Sequence, residues 1–381
     1  MKCILHVIEG VDNRLGGFPT LLASITSMER VLNIKNEILA TECPPEYINK
    51  DLEPKLNLFP ASFPKRLKNS QAGIEWLRAN IQNYDLIVIH STWNMLCQRA
   101  AAEARAYNVP YIIWPHNSLD PFDLEKKKIL KKILGKTYLQ PFLKGAKAIC
   151  SASKLESERL NLYDVEISRV VLPYPVRYSS PNSSRNEFRK KYDLKDNQFV
   201  FLFLSRVDYK KGLDLALQAF SKIITTYPQS QFIIAGPDTK GYSLYIKKLI
   251  NELSISNNVK MIGLVTGSDK SNCFKGADCF VLTSLNESFG IAVVEALQSG
   301  TPVLISDNVY IAADIKNLDG GWVCKSEIQD IATHMENILS NKEDYDNKKT
   351  NSTKNGMFFS DLERLKGIYM NFYKEMKILN N

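Results

Sequence analysis

The chain has 381 residues, 44% apolar and 24% charged, with a net charge of +8, the make-up of a globular protein long enough for two core-bearing domains. Its seven cysteines are scattered without a C-x-x-C pair and it has only four histidines, which argues against a disulfide framework, a zinc site or a histidine-rich metal centre. No apolar run approaches the length of a membrane span, and the stretch 3–8 is too short for a signal peptide, so the expected location is cytoplasmic.

Residues 3–8 read as a first strand. Gly16-Gly17 follows in a loop, where missing Cβ atoms let backbone N–H groups approach a phosphate or an acceptor, and Pro19 is placed for the first turn of a helix over 20–31. Strand-like apolar blocks recur at 37–41, 86–91 and 111–114. The last leads directly into Pro115-His116-Asn117-Ser118-Leu119-Asp120. A polar cluster at the carboxyl end of a strand is a usual site position in α/β proteins, which makes His116, Asn117 and Asp120 candidates. A lone histidine is otherwise more often a structural hydrogen-bonder.

Between Glu125 and Lys147 stand eight lysines and one acid, nearly the whole charge excess. As a helix, 125–144 places Ile129, Leu130, Ile133, Leu134 and Tyr138 on one half of its circumference, and Lys127, Lys128, Lys131, Lys132 and Lys136 on the other. Two readings stay open. One is a core-facing helix with a solvated lysine face. The other is docking onto an anionic membrane surface, where each lysine contributes about 1 kcal/mol, which would make the protein peripheral on the inner face of the membrane. Nucleic acid is not expected as a partner, because neither aromatic interleaving nor a known fold signature accompanies the lysines.

Further strands fall at 148–152 and 170–173, and the proline-bearing segment 173–186 has linker composition. A second series of strands follows at 199–205, 231–236, 259–264, 279–284, 303–306 and 321–324. Short apolar runs alternating with helix-length segments imply parallel sheets wrapped by helices. Two such series imply an α/β protein of two Rossmann-like domains, with ligand at the carboxyl edges of the strands. The expected boundaries are 1–178 and 187–360, with a final helix over 361–381.

Within the second series, Asn286-Glu287-Ser288-Phe289-Gly290-Ile291-Ala292-Val293-Val294-Glu295-Ala296 places two carboxylates eight positions apart around a helix start. Ser288 is a good N-cap type, and Gly300 with Pro302 supplies the stop. N–H groups and the positive dipole end near Ser288 to Ile291 would favour an anion. On helical spacing, Glu287 and Glu295 lie roughly 12 Å apart along the axis. Ile291, Val293, Val294 and Leu297 make the helix apolar around most of its circumference, so Glu295 requires a partner. The string Asp344-Tyr345-Asp346 sits among lysines and reads as a solvated loop or helix face rather than a cation clamp.

Glu-x7-Glu with Ser-Phe-Gly-Ile after the first Glu, together with Ser205-Arg206-Val207-Asp208-Tyr209-Lys210-Lys211-Gly212, Gly16-Gly17 and Pro115-His116-Asn117 in that chain order, resembles the glycosyltransferase family 4 signature. The resemblance spans nearly the whole chain. It implies the GT-B fold, twin domains facing each other across a cleft with a C-terminal helix crossing back to the first. It also implies retaining transfer from a nucleotide-diphosphate sugar without a metal or other cofactor. Under it, Arg206 and Lys211 neutralise the departing diphosphate and Glu287 orients the sugar hydroxyls. Glu295 holds the ribose, while Gly16, Gly17 and the backbone of Ser288, Phe289, Gly290 and Ile291 bind the donor. His116 lies near the reacting sugar and acceptor, and Asn117 and Asp120 are candidate acceptor contacts. The expected acceptor is a saccharide or lipid-linked saccharide. A non-catalytic nucleotide-sugar binder, or an epimerase or phosphorylase on the same plan, remains open.

Overall fold

The computed structural model describes residues 2–12, 17–63, 65–126, 128–176, 183–238 and 241–380. Gly16, Lys127 and part of the expected linker, 177–182, lie outside them. The chain divides into two compact units, Met1–Pro175 with Asp361–Asn381, and Val176–Ser360.

The first unit is built on seven strands: β1 (Cys3–Val7), β2 (Lys35–Thr41), β3 (Lys55–Phe59), β4 (Leu86–His90), β5 (Tyr111–Trp114), β6 (Ile149–Ser151) and β7 (Arg169–Val171). Their order is β3-β2-β1-β4-β5-β6-β7, parallel throughout. The second unit has β8 (Val200–Leu204), β9 (Gln231–Ala235), β10 (Val259–Gly263), β11 (Cys279–Leu282), β12 (Val303–Ser306) and β13 (Gly321–Cys324), ordered β10-β9-β8-β11-β12-β13 and again parallel. These are two Rossmann-like sheets. Strands β4, β8, β9 and β11 are buried along their whole length, as short apolar runs covered on both faces must be. In each sheet the order reverses once, between β1 and β4 and between β8 and β11. Ligands of open α/β sheets bind at the carboxyl ends of the strands beside such a reversal.

The apolar pattern did not indicate β3. Lys55-Leu56-Asn57-Leu58-Phe59 stands between Pro54 and Pro60 at the sheet edge, where it is only partly buried. The helix Leu362–Glu375 packs on the first unit. Asp361 caps it by accepting the Arg364 N–H at 3.0 Å. Leu365, Tyr369, Phe372 and Tyr373 are buried, and the Tyr373 hydroxyl donates to Glu29 Oε1 at 2.5 Å.

The lysine-rich segment is not one helix. It breaks into Pro121–Glu125, Lys128–Leu134, a wider π-helical turn Gly135–Leu139, and Gln140–Lys144. In Lys128–Leu134 the apolar residues face outward, with Ile129 at 78%, Ile133 at 58% and Leu130 at 50% of full exposure, and none is buried, whereas Leu139, Phe142 and Leu143 further on pack into the unit. That overturns the reading of a core-facing helix for Lys128–Leu134. Asp344 lies in the helix Lys342–Ser360 and accepts from Trp322 Nε1 at 2.6 Å. Among the described residues, no helix is long and apolar enough to cross a membrane.

Candidate functional site

In the second unit β8 delivers Arg206 at its carboxyl end. The chain then makes a 3-10 turn, Tyr209–Lys211, capped by Asp208, which accepts the Lys210 N–H at 3.1 Å. Gly212 ends the turn with a left-handed φ of 61°. A Cβ there would sit 2.0 Å from the Thr283 carbonyl oxygen, so only glycine lets this loop lie on the end of β11. Two bonds seal the contact. Thr283 Oγ1 donates to the Gly212 carbonyl at 2.8 Å, and the Leu285 N–H donates to the Lys210 carbonyl at 2.8 Å. Lys211 is thereby brought to Glu287, and the two form a largely buried, hydrogen-bonded ion pair. Burial pushes the Glu287 carboxyl up, but Lys211, with Lys210 and Arg206 beyond it, outweighs burial and holds it below its ordinary 4.5. Glu287 therefore stays ionised near neutral pH.

Glu287 also bridges to the loop after β12, its N–H donating to the Asn308 carbonyl at 3.0 Å and its carbonyl accepting from the Tyr310 N–H at 2.9 Å. The helix does not start at Ser288. It runs Ile291–Gln298 behind Gly290, which takes a φ of 80°, and no side chain caps its first turn. The left-handed residue that turns the chain into the helix must be the glycine, so Ser288 stays in the loop. The uncapped N–H groups and the positive helix end are retained at Gly290 and Ile291. Helical spacing no longer describes the two carboxylates, because Glu287 precedes the helix. Phe289 is buried, with its ring edge-on to Phe359 at 6.1 Å. Glu295, 8% exposed, is paired with Lys270 Nζ at 2.5 Å, which comes from the helix Gly267–Gly276.

In the first unit the loop after β5 carries His116 and Asn117 at φ of 49° and 67°. The Asn117 N–H donates to buried Glu156 at 3.3 Å, and the second Glu156 oxygen accepts the Ala152 N–H at 2.7 Å. Asp120 is 2% exposed. It caps the helix Pro121–Glu125 by accepting the Phe122 N–H at 2.8 Å, and it pairs with Arg159 Nε at 3.2 Å. These bonds make Asp120 part of the scaffold of the loop that carries His116 and Asn117.

His116 is bonded at both ring nitrogens, Nδ1 to the Tyr174 hydroxyl at 2.7 Å and Nε2 to His90 Nδ1 at 2.9 Å. The chain continues inward, with His90 Nε2 at 2.9 Å from His6 Nδ1 and His6 Nε2 at 2.8 Å from Glu29 Oε2. The rings stack at 5.2 Å between centroids for both pairs, close to the spacing of adjacent strands. Burial pushes His116 down to about 3, and burial with the neighbouring rings pushes His90 well below 6.5. Both are neutral near pH 7.

A model described as glycosyl transferases group 1 matches residues 184–355, and one described as glycosyltransferase family 4 matches residues 32–175. The chain belongs to the group 1 glycosyltransferases. Sucrose-phosphate synthase from Thermosynechococcus elongatus superposes on this glycosyltransferase with a TM-score of 0.81 at 15% identity, covering 99% of each chain. The Anabaena protein HepE, crystallised with UDP-glucose, does so at 0.78 and 17% identity, over 98% of this chain and 100% of its own. At such identities the likeness is one of fold. Alpha-monoglucosyldiacylglycerol synthase of Streptococcus pneumoniae is 25% identical over 239 residues, 60% of this chain and 54% of that protein. The chain spans about half to two thirds of the length of the curated relatives it matches.

Of the residues named from the sequence of this glycosyltransferase, the second unit places Arg206, Lys211, Glu287, Gly290 and Glu295 at the carboxyl ends of β8 and β11 and in the helix that follows. The sequence did not point to Lys270, the partner of Glu295, or to Glu29, His6, His90 and Tyr174, which are bonded in line with His116. The available signal was a histidine inside each of two otherwise apolar strands, CILHV and LIVIH.

Proposed function

We propose that this glycosyltransferase moves a sugar, with retention and without a metal, from a nucleotide-diphosphate sugar to a saccharide or lipid-linked saccharide during assembly of cell-surface polysaccharide or lipopolysaccharide. One observation carries the reading: the Lys211–Glu287 pair, with Arg206 beside it, lies next to an uncapped helix start. As the glycosidic bond breaks, negative charge grows on the β-phosphate. Arg206 can hold two of its oxygens and Lys211 adds a compact charge. The N–H groups at Gly290 and Ile291 point the same positive dipole at it. Glu287, kept ionised, accepts hydrogen bonds from sugar hydroxyls, and Glu295 exchanges Lys270 for the ribose hydroxyls. His116 and Asn117 are assigned to the acceptor, His116 as an oriented neutral ring. Retention follows from the family resemblance, with the leaving phosphate taking the proton of the acceptor hydroxyl. The UDP-glucose with which HepE was crystallised supports a uridine diphosphate donor, and the name of the Streptococcus relative supports a lipid-linked acceptor. Thermal shift with UDP, GDP, ADP and TDP tests the donor site, because a nucleotide that binds only the native state raises the melting temperature. A flat response to all four, with no sugar transferred from any donor, would sink the reading.

The outward face of Ile129, Leu130, Ile133 and Tyr138 among lysines supports contact with an anionic membrane, the apolar side chains entering the headgroup region while the lysines meet its charge. Co-sedimentation with phosphatidylserine vesicles at low salt tests this. Indifference to anionic lipid would remove it.

A further inference from the structure

Three of the four histidines meet on one line. His6 in β1, His90 in β4 and His116 after β5 occupy three neighbouring places in the sheet, and their ring nitrogens join pairwise rather than converge on a point. The line has a carboxylate at one end, Glu29 in the helix Phe18–Val31, and the Tyr174 hydroxyl at the other. His6, Glu29 and His90 are each at most 1% exposed. We propose that Glu29, His6 and His90 are positioning residues for sugar transfer, a buried chain that fixes the tautomer and orientation of the His116 ring. The proposal rests on the reading of His116 as a residue of the transfer site.

The direction of the chain follows from its carboxylate end. Asn36 Nδ2 donates to the Thr26 carbonyl at 2.7 Å, which fixes its amide orientation, and its other hydrogen goes to Glu29 Oε2 at 2.9 Å. The Tyr373 hydroxyl donates to Oε1. A carboxylate only accepts, so His6 brings its hydrogen on Nε2 and, as a neutral ring, accepts on Nδ1. His90 then donates from Nε2 to His6, and His116 donates from Nε2 to His90. The Nδ1 lone pair of His116 is left to accept the Tyr174 hydrogen. Each imidazole has one donor and one acceptor when neutral, so a single acceptor at Glu29 decides all three. Without it the reverse order, Nδ1–H on every ring, satisfies the same ring-to-ring contacts. A flipped chain would aim the His116 hydrogen at Tyr174 and turn the tyrosine hydrogen elsewhere.

Nitrogen-15 NMR of histidine-labelled protein at about pH 8, where ordinary imidazoles are neutral, separates the two tautomers. His334 is an internal control of opposite sign, since its Nδ1 bonds the Asp330 carbonyl at 2.8 Å and must carry hydrogen. The expected spectrum has Nε2–H on His6, His90 and His116. Glu29→Met, which keeps the side-chain length and removes the acceptor, should mix the tautomers of His116 and lower kcat about 10- to 100-fold, the range for groups that orient metal-bound histidines, with little change in donor KM. Glu29→Gln, whose amide oxygen can serve Asn36 and His6, should restore both. If Glu29→Met does not fold, His90→Phe breaks the chain while keeping the aromatic stack, with the same expectation for His116. Nδ1–H on any of the three rings in the wild type, an unchanged His116 tautomer in the acceptor-less variant, or an unchanged kcat there would each overturn the proposal. His116→Ala that transfers sugar normally would instead overturn the assignment of His116 on which it rests.

Discussion

The polar clusters of the two units occupy equivalent places, at a reversal of strand order, and are built on opposite electrostatic plans. In the second unit, Arg206, Lys210, Lys211 and Glu287 are charged and partly open to water, and each cation lowers the Glu287 carboxyl. In the first, His6, His90 and His116 are joined ring to ring, and among the described residues it is burial, with the neighbouring rings at His90, that keeps His90 and His116 neutral. A cluster of charge suits a ligand that brings charge of its own, whereas a chain of neutral dipoles fixes direction without attracting ions. Under the proposed function, this contrast divides the transfer between them, anion capture in one and orientation in the other.

The sharpest way to break this contrast is Lys211→Ala. Loss of one preorganised cation at a developing oxyanion should reduce kcat about 100- to 1000-fold, read from initial rates at saturating donor. A loss below threefold would remove Lys211 from the chemistry. Next, Gly212→Ala forces a Cβ against the Thr283 carbonyl at a left-handed φ. It should cost about 1–3 kcal/mol, seen as a lower melting temperature together with a weaker nucleotide-induced shift.

The pH dependence of stability should differ between the clusters. His90 and His116 have folded pKa values depressed from 6.5, so the unfolded chain takes up protons first. Their contribution is complete above about pH 6.5 and declines as pH falls towards the folded values, by about 1.4 kcal/mol per pH unit for each ring. The Glu287 carboxyl is lowered from 4.5, so its ion pair is intact above that value and is lost only as pH falls through the lower folded one. Melting temperatures measured from about pH 7 to 5 should therefore fall in the wild type and fall less in His90→Phe, while Glu287→Gln alters the slope only below that range. The smallest effect on stability belongs to Ile129→Ser with Ile133→Ser. Exposed positions of this kind stay within about 0.5 kcal/mol, yet vesicle sedimentation should drop.

What could be read from the sequence divides along the same line. The strands that are continuous apolar runs, such as Val200–Leu204 and Cys279–Leu282, are visible because burial on both faces leaves no other pattern. The edge strand Lys55–Phe59 is hidden because an edge needs no such run. The second unit's cluster was legible because Arg206, Lys211, Glu287 and Glu295 stand in two short segments that resemble a family signature. Its details were less so. Ser288 suits a helix start by residue type, but the left-handed turn selected Gly290. Lys270 is 25 residues from its partner Glu295, with nothing local to connect them. The histidine chain draws on Glu29, His6, His90, His116 and Tyr174, whose proximity exists only once the strand order β2-β1-β4-β5 is known.

The bond from Tyr373 to Glu29 joins positions 344 residues apart inside one unit, although the chain leaves that unit after Pro175 and re-enters it at Asp361. Anyone grafting the donor half of a relative onto this protein should therefore cut twice, and keep the tail with the head. A chimera made by a single exchange from residue 176 onward would import a foreign partner for Glu29 and carry the damage, unseen in any local alignment, to the opposite end of the graft.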